Sequence, residues 1–515
     1  MNIAFIPIDN RPVCYTLPEQ VCAINSSINL FMPERKYLGS LTKYADVDKI
    51  FEWLEKIPKV DAIVMCLDTV AYGGLISSRR CPDTFDEIKN RVENLKSILE
   101  KKNAKIYAFS SIMRISNNNV NEEEKEYWDK WGKKIFDYSY QTHKLGTESC
   151  ISNIIPSEIL DDYLATRKRN FEINKLYLEY QKQGLFDTLV FSKDDCAEYG
   201  FNVQEAQVLE KLGGFIKTGA DEIPLTLLAR AVVKFFDAKM QRCEDAKSFT
   251  EPVAQSRHCE CERSNSVNSK VLGRDYCLDD ETSLKIFPIF LAPEYKDLIS
   301  NYEDVSIEKS VKGQLELAGC KVCEPDEADI LLYVNNFEDH QGEIVMKVPT
   351  KPFSKKWQRP EKPYMIADVR YANGADNEFV KQLFEVGLGD NFYGYSAWNT
   401  SANSLGSLIC GAVVKYYGFK LQRCQDDNSK TVDRDYYPDN KNENFLKLQT
   451  IRFLDDWAYQ ANVRQELNSP DEKLVKEKMK PYEKMVFGLL GVDYNISYKF
   501  TWNRLFEVEI CILSN

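Results

Sequence analysis

The chain has 515 residues, 43% of them hydrophobic and 28% charged, a balance that allows a large buried core and two or three domains. Its net charge of −12 argues against nucleic acid and anionic membranes as partners, because both require a basic surface. The first residues lack a basic start and a small-residue cleavage site, and no apolar run approaches the roughly 18 residues of a membrane span, so we expect a cytoplasmic protein.

Strand-like and helix-like segments alternate along the chain, which is typical of α/β proteins. Short apolar runs predict strands at residues 3–8, 62–67, 105–110, 188–191, 215–217, 286–291, 330–334, 365–368 and 394–398. Apolar residues spaced three and four positions apart, together with helix-ending signals, predict helices at residues 85–101, 157–183 and 223–236.

This order predicts an N-terminal α/β domain over residues 1–236, either barrel-like (TIM-type) or a doubly wound parallel sheet. A second α/β portion over residues 285–515 is expected to complete the cleft. In an alternative, residues 286–335 form half of a small flavodoxin-like domain, and two open sheets then meet at a cleft.

Two polar segments interrupt the pattern. Residues 237–284 contain four cysteines and a polar run without helical or strand periodicity, so we predict a disordered, dispensable insertion there. A second polar interruption covers residues 425–443. The cysteine spacing matches no zinc pattern, and no phosphate-binding glycine fingerprint is present, so neither a metal nor a nucleotide cofactor is expected.

Charged and polar side chains follow successive predicted strands. In chain order they are Asp9 with Arg11, Asp68, Arg114, Asp194 with Asp195, Asp221 with Glu222, Asp368 with Arg370, and Asn399. Because the carboxyl ends of parallel strands meet at one edge, this series predicts a shared substrate-binding site. Strand-ending and helix-capping roles are the alternative for the acids, but arginine is not a capping residue.

Asp194 and Asp195 are the predicted catalytic pair. They follow an apolar run at residues 188–191, and the chain has only 3 histidines to share the acid/base chemistry. Two close carboxylates have separated pKa values, so one acts as an acid while the other stays ionised, as in the cleavage of glycosidic bonds. A solvated turn is the alternative.

Further substrate contacts are predicted in four motifs. Tyr72 or Trp398 is expected to stack on a sugar ring, and paired Gly73 and Gly74 allow close backbone approach. Carboxamides suit sugar hydroxyls or an acetamide group. Arg504 near the end of the chain is a candidate to close the site, with plain packing of its segment as the alternative. The carboxamide candidates are Asn373, Asn399 and Asn403.

Six ordered motifs resemble a known family. They are Pro-x-Asp-x-Arg-Pro at 7–12, Tyr-Gly-Gly-Leu-x-x-Ser-Arg at 72–79, Asp-Asp-x-x-x-Tyr-Gly at 194–200, Gly-Ala-Asp-Glu at 219–222, Tyr-Ala-Asn-Gly-Ala-Asp at 371–376 and Trp-Asn-Thr-x-x-Asn-x-Leu-Gly at 398–406. Together they resemble the bacterial domain-of-unknown-function family 4127 over nearly the whole chain. The family name implies no activity.

The chain is also similar to retaining β-N-acetylglucosaminidases of the O-GlcNAc hydrolase and hyaluronidase type, which carry an Asp-Asp pair after the fourth barrel strand and an Asn-rich segment further on. This similarity implies that Asp194 holds the substrate's acetamide and Asp195 is the general acid/base. The acetamide oxygen would then be the nucleophile.

We therefore predict a hydrolase that acts on a carbohydrate or glycoconjugate and has no metal or nucleotide cofactor. Two alternatives remain open. One is a non-catalytic α/β protein that binds a small polar ligand, and the other is a metal-dependent hydrolase using Asp9, Asp68 and Asp194.

Overall fold

A computed structural model describes residues 1–194, 197–248, 283–426 and 442–513, with residues 243–248 and 422–426 described by their backbone alone. Asp195 and most of the predicted insertion at 237–284 lie outside these ranges. So does most of the second polar interruption at 425–443.

The first half of the chain builds a six-stranded parallel sheet in the order β2-β1-β3-β4-β5-β6. Its strands are β1 (Asn2–Ile6), β2 (Asn29–Phe31), β3 (Ala62–Cys66), β4 (Lys105–Ile112), β5 (Thr188–Lys193) and β6 (Phe215–Thr218). The apolar runs become strands because both faces of the sheet are covered by helices. Within the described residues β2 and β6 are unpaired edges, so the sheet is open and the barrel alternative is not found.

Nine α-helices accompany this sheet in the described part of the first half, besides two short 3-10 helices at Arg35–Tyr37 and Cys150–Ile154. They are α1 (Thr16–Ala23), α2 (Val47–Lys56), α3 (Leu67–Tyr72), α4 (Ser77–Arg80), α5 (Phe85–Leu99), α6 (Trp128–Leu145), α7 (Ser157–Lys182), α8 (Phe201–Lys211) and α9 (Ile223–Ser248). Helix α5 begins with a capping box between Thr84 and Glu87, in which each side chain accepts a hydrogen bond from the other residue's backbone N–H. Helix α9 continues to Ser248, so residues 237–248 are helical and the insertion was predicted to begin too early.

The second half builds a five-stranded parallel sheet. The elements of this half are β7 (Lys285–Phe290), α10 (Ile307–Leu317), β8 (Lys321–Val322), β9 (Ile330–Asn335), β10 (Gly342–Glu343), β11 (Tyr364–Asp368), β12 (Tyr371–Ala372), α11 (Asn377–Val386), β13 (Phe392–Ser396) and α12 (Ser401–Asp426). Strands β10 and β12 pair with each other in a separate two-stranded sheet. The strand order β8-β7-β9-β11-β13 repeats the order of the first five strands of the first sheet. Two open sheets are therefore present, as in the flavodoxin-like alternative.

Helices α9 and α12 pack against each other between the two sheets. The crossing is close at Gly406, where an added Cβ would lie 2.6 Å from the Glu222 Cγ. One apolar core joins residues from both halves, including Phe5, Phe236 and Leu332. No helix in the described ranges is both long and apolar enough to span a membrane.

The chain ends with a helical segment and a hairpin. These elements are α13 (Glu443–Arg452), a π-helix (Phe453–Asn462), α14 (Glu472–Leu490), β14 (Asn495–Lys499) and β15 (Glu509–Leu513). The antiparallel strands β14 and β15 are joined by residues 500–508, here called the hairpin loop. Trp502 in this loop donates from Nε1 to Asn10 Oδ1 at 2.7 Å, which brings the end of the chain to the carboxyl end of β1.

Candidate functional site

Arg11 connects the loops that follow the first and last strands of the first sheet. Its Nε donates to Asp9 Oδ1 at 3.0 Å, and its Nη1 and Nη2 donate to both Asp221 oxygens at 3.0 and 2.6 Å. The Trp502 ring lies 5.0 Å from the guanidinium carbon. Burial alone would lower the pKa of Arg11, but Asp221 and Asp9 outweigh it and raise the pKa. Three predicted site residues thus meet, and one buried arginine is shared between two aspartates.

Arg114 brings the loop after β4 next to Asp194, the described member of the predicted catalytic pair. Its Nη1 lies 3.7 Å from Asp194 Oδ2, while its Nη2 and Nε lie 2.8 and 3.2 Å from Glu123 and Glu124. The Asp194 side chain keeps 31% of its surface exposed, so solvent can reach it. Asp195 lies outside the described residues, and its position stays a prediction.

Glu123 and Glu124 belong to a segment, residues 121–124, that we call the acidic loop. Arg80 donates to the carbonyl oxygens of Asn121 and Glu124 at 3.0 and 2.9 Å, and Arg79 Nε donates to that of Glu123 at 3.1 Å. These bonds fix the loop backbone, because a guanidinium presents several donors in one plane. The arginines at the end of α4 therefore set where the two glutamate side chains lie.

Three guanidinium groups surround the Glu123 carboxylate, and we call these three residues, Arg79, Arg114 and Arg504, the arginine cluster. Arg114 and Arg504 approach it at 2.8 Å each, and Arg79 at 3.5 Å. Burial would raise the pKa of Glu123, but Arg114, Arg79 and Arg504 lower it well below its usual range. Glu123 is therefore ionised near neutral pH.

Arg504 attaches the hairpin loop to this cluster. It donates from Nε to Glu507 Oε2 at 2.7 Å, and Glu507 in turn lies 4.0 Å from Arg11 Nη1. Burial raises the pKa of Glu507, and Arg504 and Arg11 partly offset that rise. These contacts place Arg504 beside the loops after β1 and β4, and its role in closing a site stays a prediction.

Asp68 and Tyr72 are not brought to the arginine cluster by any described contact. Asp68 accepts a hydrogen bond from the Ser111 backbone at 2.8 Å, and burial raises its pKa to about 6 despite that bond. Tyr72 is buried, with the Arg169 guanidinium 5.5 Å from its ring centre. Its ring face is covered, which disagrees with the predicted stacking on a sugar.

Gly73 and Gly74 end helix α3. Their φ angles of 85° and 136° lie in the region that favours glycine. A Cβ at Gly73 would lie 2.9 Å from the Tyr44 Cβ, so this glycine allows the packing of a neighbouring loop. A local packing role accounts for the glycine pair.

Glu222 is buried where α9 meets the second half. It accepts hydrogen bonds from the Ala220 backbone and from Gln314 Nε2, both at 3.1 Å. Burial raises its pKa well above the usual range. Although Glu222 adjoins Asp221 in sequence, it points into the core between the halves.

Asp368 and Arg370 form a buried network in the second sheet. Asp368 accepts from Asn335 Nδ2 at 2.8 Å and from the Tyr395 hydroxyl at 3.0 Å, while Arg370 Nε donates to Asn335 Oδ1 at 3.1 Å. Burial, reinforced by Asp376, raises the pKa of Asp368 to about 7. The two residues shape the interior of the second half and do not reach the arginine cluster.

The predicted carboxamides lie at the carboxyl edge of the second sheet. Asn373 and Asn399 adopt φ angles of 61° and 58°, and the Asn373 backbone donates to the Asn399 carbonyl at 2.8 Å. Trp398 is buried 6.3 Å from the Phe506 ring in the hairpin loop, which does not fit the predicted stacking. Asn403 lies in the first turn of α12, and its buried Oδ1 has no hydrogen-bond partner among the described residues.

Several charged residues of the cluster were not selected from the sequence. Glu122, Glu123 and Glu124 form an acidic run of the kind that usually marks a solvated surface, so it gave no signal. Arg79 is the last residue of the Tyr-Gly-Gly-Leu motif, and Glu507 lies three residues after Arg504. Neither directly follows a predicted strand, which was the criterion for selecting charged residues. Their roles depend on contacts between distant parts of the chain.

The described residues do not assemble the proposed metal site. Asp9, Asp68 and Asp194 contact Arg11, Ser111 and Arg114 respectively, and no described group of three His, Cys, Asp or Glu side chains is arranged to hold a metal ion.

A surface groove of about 590 Å³ lies at the opposite, amino edge of the first sheet. It is lined by loop residues such as Lys59, Lys102 and Asp187 and is separate from the arginine cluster.

Glu303 gives a pH-dependent prediction. It accepts hydrogen bonds from the Ala402 backbone at 2.7 Å and from the Ser310 hydroxyl at 2.8 Å, and burial raises its pKa from 4.5 to about 7. The folded state binds this proton more tightly, so the free energy of unfolding should fall as pH rises between these two values. The loss should be about 3 kcal/mol.

Glu303→Gln should remove this dependence while keeping both hydrogen bonds, because the amide can accept from Ala402 and donate to Ser310. Urea denaturation at pH 4.5 and pH 8 measures the difference. Glu385→Gln, on the exposed face of α11, is the control that should leave the pH dependence unchanged. An unchanged pH dependence in Glu303→Gln would contradict the prediction.

The fold and the charged edge define the class of this protein: an α/β protein of two open parallel sheets, with an ion-pair cluster at the carboxyl edge of the first. Residues 3–511 match the model of the family described as protein of unknown function (DUF4127), and the chain belongs to that family. No curated protein and no solved structure matches the chain.

The similarity to β-N-acetylglucosaminidases gains no support from the fold. Because β2 precedes β3, Asp194 follows the fifth strand of the chain and not the fourth. The sheet in which that strand lies is open, whereas the similarity implied a barrel.

Proposed function

We propose that this protein is a hydrolase that cleaves a carbohydrate or glycoconjugate at the carboxyl edge of its first sheet. The observation that carries the proposal is the meeting of Asp194, Arg114 and Glu123 with the Arg11 ion pairs and the hairpin loop at that edge. Open α/β sheets bind their ligands outside the carboxyl ends of their strands.

The charge content of this edge supports a functional role. Burying paired charges costs free energy that apolar residues of similar size would not cost, so a concentration of them marks a candidate site. Asp194 is the more exposed member of its ion pair, with 31% of the side chain accessible against 18% for Arg114. A substrate would therefore meet this carboxylate first.

Each residue has a separate role in the proposal. Asp195 is the general acid/base, and Asp194 stays ionised beside Arg114 and stabilises positive charge that develops on the sugar. Arg11, through Asp9 and Asp221, positions the loops around the reacting groups. The finer proposal, that the substrate contains N-acetylhexosamine, rests on sequence similarity alone.

Hydrolysis of chromogenic glycosides by the purified protein tests the proposal. A panel with and without N-acetyl groups should give turnover on at least one glycoside, and an equal rate in a chelator would separate this mechanism from a metal-dependent one. Faster turnover of the N-acetylated members would support the finer proposal. No turnover on any member would count against a glycosidase.

A non-catalytic binding protein is the second candidate. The observation that favours it is the repeated strand order of the two sheets, because paired open sheets can enclose a small ligand between their carboxyl edges. It predicts stabilisation by a polar ligand without turnover. A rise in melting temperature with an intact glycoside, recovered unhydrolysed, would support this candidate over the hydrolase.

A further inference from the structure

The three guanidinium groups around Glu123 form an unusual concentration of positive charge. Arg79, Arg114 and Arg504 come from α4, from the loop after β4 and from the hairpin loop, and all lie within 3.5 Å of one carboxylate. Like charges repel at this range, and burial together with Arg114 lowers the pKa of Arg79. Three arginines can lie this close together in a folded protein only where anionic oxygens balance their positive charge.

Two further glutamates balance part of the charge. Glu124 pairs with Arg79 and Arg114 at 3.3 and 3.2 Å, and Glu507 pairs with Arg504. Glu122 also pairs with Arg504 at 3.4 Å and Asp194 with Arg114 at 3.7 Å, but of these carboxylates only Glu123 contacts all three arginines. Because the Glu123 carboxylate lies where the three guanidiniums converge, a single bound oxyanion could take the same position if that carboxylate moved away.

The surroundings of Arg79 also indicate that an oxyanion could bind at the position of the Glu123 carboxylate. Its side chain is 3% exposed, and Nη2, the atom nearest the Glu123 carboxylate, has no hydrogen-bond partner among the described residues. A buried guanidinium nitrogen without an acceptor is costly. A ligand oxygen in place of the glutamate could accept from it.

We propose that Arg79, Arg114 and Arg504 bind an oxyanion of the substrate, a carboxylate or a phosphate, and that Glu123 occupies this position when substrate is absent. The inference rests on the proposed function and makes its substrate an acidic carbohydrate. Glu123 keeps 22% of its side chain exposed on a surface loop, so its carboxylate can turn away when the ligand enters. The bound oxyanion would then lie beside Arg114, the residue that contacts Asp194.

Isothermal titration calorimetry with glucuronate, glucose 6-phosphate and neutral glucose tests this site. Wild-type protein should bind one of the two anions at least about tenfold more tightly than glucose. Glu123→Gln should tighten that binding by about tenfold or more, because the competing charge is removed while the side-chain shape is kept. The preferred anion identifies the oxyanion as carboxylate or phosphate.

Glu122→Gln is the matched control. It lies in the same loop and loses the same charge, but its carboxylate is 48% exposed and lies 3.4 Å from Arg504 alone, so the affinity should change by less than about twofold. Arg504→Gln should weaken anion binding and provides a second test if Glu123→Gln does not fold. Circular dichroism of each variant verifies folding.

The outcomes separate this inference from the proposed function. Equal or weaker anion binding by folded Glu123→Gln, or no preference for either anion over glucose, would overturn the oxyanion site even if the protein hydrolyses glycosides. Tighter anion binding by Glu123→Gln without hydrolysis of any glycoside would support the oxyanion site and count against the hydrolase.

Discussion

Replacing Asp195 or Asp194 by asparagine is expected to lower kcat on a cleaved glycoside by about 10²- to 10⁴-fold, the usual contribution of a general acid/base. Asp195→Asn removes the transferable proton. Asp194→Asn removes the negative charge that stabilises the developing positive charge on the sugar. Initial rates across the pH range measure both effects, and one variant should lose one limb of a bell-shaped pH profile.

Stability should change little in Asp194→Asn. The carboxylate is partly exposed and lies 3.7 Å from Arg114, so its loss should cost less than about 1 kcal/mol. Asp161→Asn, on the exposed surface of α7, is the matched control and should keep full activity. Intact activity combined with a lower Tm in both Asp194→Asn and Asp195→Asn would mean that the pair is a structural turn.

Arg11→Met is expected to lower the free energy of unfolding by about 3–5 kcal/mol, the usual cost of breaking a buried ion pair by removing one partner. Methionine keeps much of the side-chain volume but leaves the Asp9 and Asp221 carboxylates without their shared cation. Both carboxylates are at least 90% buried, so water cannot replace the guanidinium. Urea denaturation at pH 7 measures the change.

A second substitution distinguishes charge from packing. Adding Asp221→Asn to Arg11→Met should recover part of the lost stability, because one uncompensated charge is then removed. Lys49→Met breaks an exposed ion pair with Glu52 and should change stability by less than about 0.5 kcal/mol. A loss below about 1 kcal/mol in Arg11→Met would show that the triad does not anchor these loops.

The alternation of apolar runs and helical periodicity was sufficient to predict the α/β class and most strands. Buried parallel strands must be apolar on both faces, so runs such as Ile63 to Met65 are visible without any tertiary information. The short edge strand β2 was missed because its three residues, Asn29–Phe31, are too few for a pattern. That omission shifted the count of strands before Asp194.

The placement of polar residues after strand ends also followed from the sequence. The meeting of Asp9 and Arg11 with Asp221 was anticipated as a shared edge, because parallel strands present their carboxyl ends together. The bidentate pairing of Arg11 with Asp221 was not anticipated, because it joins positions 210 residues apart. The openness of the first sheet likewise depends on which strands pair, which local patterns do not encode.

Burial separated the predicted site residues from one another. Tyr72, at the end of the helix after β3, and Asp368, the last residue of β11, lie near strand ends as Asp194 does. Packing against Arg169 and Asn335 nevertheless makes them interior residues. Glu123 shows the converse. It belongs to an acidic run that looks like a solvated surface, but arginine side chains of α4 bind the backbone of that run and hold Glu123 among three arginines. Sequence patterns determined which residue types end the strands, whereas long-range packing decided which of them share a site, because burial and ion pairing depend on neighbours distant in the chain.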